Sequence, residues 1–166
     1  MLKIELDVLR DDVKVNAFDR EPKYDPKYED VNSLLGDICE LLAKDKVFKF
    51  RVNGFGDSCW PLDIRTDLCT FLEQLPSAIK ALDKDSGEFD IDFYEQGLER
   101  RLVFTIKGGN VLIECMSATT WIPHPFKITH KKLELKSMLV DIYNKFKEVS
   151  MKTYPGLTSH NWFAEY

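Results

Sequence analysis

Residues 88–116 read EFDIDFYEQGLERRLVFTIKGGNVLIECM, and this stretch decides the fold. Phe89, Ile91 and Phe93 alternate with Asp90, Asp92 and Tyr94, while Leu102, Phe104 and Ile106 alternate with Val103, Thr105 and Lys107. A period of two marks strands with one buried face. The joints Glu95-Gln96-Gly97 and Lys107-Gly108-Gly109-Asn110 each carry glycine where a tight turn favours positive φ. Three strands, 88–94, 98–106 and 111–116, are therefore expected as an antiparallel meander.

Working outward, residues 2–8 alternate again (Leu2, Ile4, Leu6 and Val8 against Lys3, Glu5 and Asp7). Arg10-Asp11-Asp12 reads as a turn, and Val13, Val15 and Ala17 resume the alternation, so an N-terminal hairpin is expected. The segment 20–30 has two prolines and little apolar content, and it reads as a loop. Val31, Leu34, Leu35, Ile38, Leu41 and Leu42 then recur at three- and four-residue spacing, which predicts a helix over 28–44. Phe48, Phe50 and Val52 form a short strand that ends in the glycine-punctuated loop 54–58.

A second helix is expected over 66–83, capped by Thr66 and broken or kinked at Pro76, because proline removes a backbone donor and crowds the preceding turn. A connector with Pro123 and Pro125 leads to a third helix, 130–152, and the aromatic residues of 154–166 read as an irregular tail. The sum is a single α+β domain over 1–166: a mostly antiparallel sheet packed against about three helices.

Composition narrows the function. The chain has 166 residues, 44% hydrophobic and 31% charged, which is globular composition. Its formal net charge is −5, which argues against a nucleic-acid partner, since phosphates call for a clustered Lys/Arg face. The N-terminus, MLKIELD, carries charges where a secretion signal needs an apolar run, and no stretch approaches the length of a membrane span. The four cysteines, Cys39, Cys59, Cys69 and Cys115, form no CxxC pair and are expected as reduced thiols. The expected compartment is the cytoplasm.

Candidate chemistry is sparse, and no cofactor is expected. The histidines are His124, His130 and His160; their spacing with the cysteines matches no zinc pattern, so no metal site is expected. The loop Gly54-Phe55-Gly56-Asp57-Ser58 lacks the Lys-Ser/Thr of a phosphate loop. Cys59 beside a histidine could form a nucleophilic site, which is the enzymatic alternative. Asp90 and Asp92 could pair for acid–base work, but two acids on one strand face fit the solvent side of a sheet better. No catalytic residue is assigned.

Charge distribution is the informative feature. Asp83, Asp85, Glu88, Asp90, Asp92, Glu95 and Glu99 stand against Lys84 alone, a local net of −6. Residues 127–152 hold seven lysines against Glu134, Asp141 and Glu148, a local net of +4. Asp90, Asp92, Tyr94 and Glu95 are the expected partner-binding set: charge to steer a basic partner and an aromatic to anchor it. The bland alternative is two ordinary solvated surfaces, or two that face each other. A second candidate surface is Phe55, Asp57 and Trp60.

The stretch 54–121 also carries a resemblance. Its glycine-rich loop runs into Trp60-Pro61-Leu62-Asp63-Ile64, then Asp67-Leu68, Leu75-Pro76, Phe93-Tyr94-Glu95-Gln96-Gly97-Leu98-Glu99-Arg100-Arg101 and a closing Trp121. Covering less than half of the chain, this pattern resembles small bacterial immunity proteins carried beside polymorphic or contact-dependent growth-inhibition toxins. The resemblance implies a cytoplasmic, non-catalytic antitoxin that binds one cognate, basic protein toxin and occludes it. It carries over no contact residue. A generic interaction domain is the remaining alternative.

Overall fold

The computed structural model describes residues 1–10 and 23–166. The return strand expected around Val13, Val15 and Ala17 lies outside the described residues. Strand β1 (Lys3–Val8) pairs with β2 (Phe48–Asn53), antiparallel and in continuous register from Lys3 opposite Asn53 to Val8 opposite Phe48. Helix α1 (Val31–Lys44) lies between them in sequence and starts at the first residue of its apolar stripe, three residues later than the expected 28. Asp30 sets that boundary, its carboxylate accepting from the Asn32 amide at 2.9 Å.

The second sheet holds the expected meander and one more strand: β3 (Ser86–Phe93), β4 (Arg100–Lys107), β5 (Asn110–Ser117) and β6 (Lys127–Lys131), antiparallel in that order. Strand β6 was not expected. It takes His130 out of the predicted third helix, so α3 runs from Lys132 to Thr153. The inward set is as read from the sequence: Ile91, Phe93, Leu102, Phe104 and Ile106 are buried, and Phe89 packs half-buried against the core. The fold is thus α+β, with the strands divided between two antiparallel sheets.

Phe71 of α2 (Cys69–Ala81) joins the sheets. Its ring lies 5.3 Å from Phe50 on β2 and stacks at 6.0 Å on Phe93 of β3. Buried side chains of both sheets and of α1, α2 and α3 belong to one hydrophobic cluster.

The expected start of α2 is corrected. Thr66 does not cap it: coiling begins earlier, in a π-helical turn, Ile64–Leu68, capped by Asp63. The Asp63 carboxylate accepts from the Arg65 amide at 2.7 Å, and the Asp63 amide donates to the Asp67 carboxylate at 2.7 Å, a reciprocal arrangement like a capping box. Of the break or kink expected at Pro76, the break does not occur: the helix continues to Ala81. Pro76 leaves the Leu72 carbonyl without its helical donor, and the Tyr166 hydroxyl fills that role at 2.8 Å. Tyr166 comes from the C-terminal segment, which is helical where an irregular tail was expected: α4 (Pro155–Thr158) and α5 (Asn161–Glu165).

Both packing features can be measured. Phe104→Ala should cost about 3–5 kcal/mol, the usual range for truncating a fully buried ring, read as a lowered denaturation midpoint. Tyr166→Phe should cost about 1–3 kcal/mol by stranding the Leu72 carbonyl. In a Pro76→Ala background that cost should shrink, because alanine supplies the amide that proline lacks; equal costs in both backgrounds would remove the link.

Candidate functional site

Helices cover one face of the four-stranded sheet, and the other face is open. Outward side chains form rows across the strands. Asp92 stands opposite Arg101 and Arg101 opposite Met116; Asp90, Val103, Glu114 and Lys127 make the next row. At one end of this face a concavity of about 390 Å³ is lined by Asp92, Tyr94, Glu99, Arg101, Met116, Ser117 and Ala118. Tyr94 and Met116 stand 57% and 58% exposed there.

Local backbone geometry builds the rim. The 94–99 turn bends at Gly97 (φ 97°) and places Glu99 at φ 44°, a left-handed conformation uncommon outside glycine. The Leu98 and Glu99 amides both donate to the Glu95 carbonyl, and the Glu99 carbonyl accepts from Ala118 at 3.0 Å. On the edge side, Gln74 of α2 clamps Asp92: its amide oxygen accepts from the Asp92 N–H at 2.8 Å, and its NH2 donates to the Asp92 carbonyl at 3.0 Å. Gln74 thus occupies the strand edge at Asp92, where an added strand would otherwise pair. The accessible feature here is the face.

The acidic run divides in three dimensions. Asp83 and Asp85 pair with Lys136 and Lys132 of α3, Asp90 pairs with Arg101 at 3.0 Å, and Glu88 accepts from the Thr105 hydroxyl. Among the described residues, no Lys or Arg pairs with Asp92, Glu95 or Glu99. Of the expected set, Asp92 and Tyr94 therefore meet in the concavity, and Asp90 sits one row away with its charge matched. Glu95 lies toward the start of α2, where its charge helps raise the pKa values of Asp67 and Glu73, both raised first by burial. Sequence reading missed Arg101, Met116 and Glu99. Arg101 was accessible from the β3–β4 register alone, whereas Met116 also required the register of the next hairpin.

The second candidate surface is differently built. Phe55 and Trp60 are each 2% exposed, so both rings belong to the core. Asp57 reaches inward, accepting from Arg100 at 2.9 Å. The Arg100 guanidinium lies 4.6 Å from the Trp60 ring and 3.6 Å from that of Trp121. Cys59 is exposed, its thiol directed at the Trp60 carbonyl 3.8 Å away. Two histidines are engaged elsewhere. His130 is buried with Nε2 3.3 Å from the Leu2 carbonyl, and His160 caps α5 and packs on Tyr24 and Trp162. His124 is exposed, and its main-chain amide donates to the Phe55 carbonyl.

Among the described residues, no cluster of three His, Cys, Asp or Glu side chains could hold a metal ion, and no helix is long and apolar enough to cross a membrane. No protein-family model, curated protein or solved structure matches the chain.

Asp67, in the π-helical turn before α2, provides a pH test. It is buried, its Oδ1 has no hydrogen-bond partner, and desolvation outweighs the Asp63 amide bond to raise its pKa. The folded state then holds this proton more tightly than the unfolded chain, so stability falls as pH rises through the raised folded value. Below the ordinary aspartate value of about 4 both states are protonated and the cost disappears. Asp67→Asn should therefore melt higher than wild type near neutral pH, with the difference closing on acidification. A difference that is constant across pH would contradict this assignment.

Proposed function

We propose that the chain is a non-catalytic binding protein that docks a basic protein partner on the open sheet face around Tyr94. In line with the pattern of residues 54–121, we take it as a cytoplasmic bacterial immunity protein that neutralises a cognate toxin by binding and occlusion. One observation carries the docking part: exposed Tyr94 and Met116 share a concavity with Asp92 and Glu99, two acids without a cation partner among the described residues. That combination suits a partner lysine or arginine, which can lay its aliphatic stem on the ring and the thioether and its charge beside the carboxylates. Arg101, matched by Asp90, restricts where a second cation can land.

The test is co-expression with the product of the adjoining upstream reading frame, co-purification, and surface-based kinetics at two ionic strengths. Exposed charges act mainly on association rate and are screened over about 8 Å at physiological salt. Asp92→Lys with Glu99→Lys should slow association and flatten its salt dependence with little change in melting temperature. Tyr94→Ala should speed dissociation, at a cost on the order of 2 kcal/mol if the ring is a hot spot. Wild-type rates for both variants would sink this surface.

A further inference from the structure

We propose that the free edge of β2, at Phe48 and Phe50, is a second interaction site, which takes up an extended acidic segment of a protein partner as an added strand. The inference goes beyond the binding reading above and stands without it.

Alternation along β2 sets where its main chain points. The Leu9 amide donates to the Val47 carbonyl at 2.8 Å, so in the antiparallel register the main-chain groups of Val47, Lys49 and Arg51 turn to β1. Those of Phe48, Phe50 and Val52 turn the other way, and the Val52 carbonyl accordingly accepts from the Trp60 amide at 2.9 Å. The segment after β2 thus begins a third strand and at once abandons it. Pro61 has no amide to donate, and the Leu62 amide bonds back to the Trp60 carbonyl at 2.9 Å, which turns the chain away.

The edge is left unfilled at Phe48 and Phe50. No strand but β1 pairs with β2, and among the described residues the amides and carbonyls of Phe48 and Phe50 meet no hydrogen-bond partner. Both residues are nevertheless buried, 4% and 6% exposed, and both line a concavity of about 460 Å³. Main-chain donors and acceptors withdrawn from bulk water in this way are costly unless something pairs with them. A strand laid along the edge, at the usual spacing of about 4.8 Å, would pair with all of these groups.

Charge selects the strand. Lys46, Lys49, Arg51 and Arg65 line the concavity against Asp63 alone, a local net of +3 in a chain of net charge −5. Arg51 is matched by Glu5 and Asp7, and Arg65 by Glu40. Lys46 and Lys49 are exposed and pair with no acid among the described residues. Lysines beside a strand edge repel a second copy of the same edge and attract an acidic segment. Leu62 and Ile64, both half-buried, add apolar surface to the lining. The site therefore suits an extended segment in which Asp or Glu alternates with apolar residues.

The test uses the full chain. In the isolated protein the Phe48 and Phe50 amides should exchange with solvent on the order of a hundredfold faster than those of Lys49 and Arg51, because only the latter bond to β1. Equal protection would mean that the edge is filled within the chain and would overturn the site. Random twelve-residue peptides displayed on phage and selected on the protein should be enriched in Asp or Glu, and a synthetic copy of one should slow exchange at Phe48 and Phe50. Lys46→Gln with Lys49→Gln should weaken that peptide about tenfold at an unchanged melting temperature. N-methylation of successive peptide amides should abolish binding at every second position, since alternate amides face the edge. Tolerance at all positions overturns strand addition. If all enriched peptides are indifferent to the lysine changes but lost to Asp92→Lys with Glu99→Lys, they belong to the open face of the other sheet and overturn this site, as does an absence of enrichment. A single-stranded oligonucleotide that binds through Lys46 and Lys49 without slowing exchange at Phe48 and Phe50 would overturn the peptide in favour of a polyanion.

Discussion

The buried guanidinium of Arg100 holds one end of this molecule together. The residue is 5% exposed, and removing such a charge from water costs several kcal/mol unless it is well matched. Asp57 supplies the counter-charge at 2.9 Å, and Trp60 and Trp121 place their rings against the cation. Its Nε still lacks a partner, so the match is incomplete. What the arrangement achieves is connection: Asp57 and Trp60 belong to the segment after β2, Arg100 opens β4, and Trp121 belongs to the loop before β6. Three segments distant in sequence thereby share one fixed point.

The aromatic packing continues from there into the body. Trp60 lies 5.6 Å from Phe93, Phe93 stacks on Phe71, and Phe71 reaches Phe50 in the other sheet. Rings are suited to this because each buries a large area and packs edge or face against the next. Further along α2, the Tyr166 hydroxyl compensates for the amide that Pro76 lacks, and the helix continues through its proline. A hydrogen bond from a segment 94 residues away in sequence thus decides a local feature.

Charge follows the same logic. The acidic run 83–99 is uniform as a string and divided in space: Asp83 and Asp85 are matched by lysines of α3 and Asp90 by Arg101, Glu88 takes the Thr105 hydroxyl, and Asp92, Glu95 and Glu99 have no cation partner among the described residues. Of the sequence-level alternatives, two charged surfaces facing each other holds for the start of the run, where Asp83 and Asp85 meet lysines of α3. Burial pushes up the carboxyl pKa values of Asp67 and Glu73 behind the turn, and the charge of Glu95 adds to both. The unmatched negative potential therefore gathers at the end of β3 that bears Tyr94.

The meander was legible in the chain before any folding, together with its inward set Phe89, Ile91, Phe93, Leu102, Phe104 and Ile106 and the outward placement of Asp90, Asp92 and Tyr94. Period-two alternation and glycine turns are local properties, and a strand with one buried face has a single register that satisfies them. Strand β6 was hidden because it is five residues long, and of its two inward side chains one is a histidine whose partner is the carbonyl of Leu2. Three outcomes came from the folded arrangement alone: β1 pairs with β2, Phe55 and Trp60 turn inward, and particular acids find a cation while others do not. Each depends on which distant segments meet, and no local pattern of residues encodes that meeting.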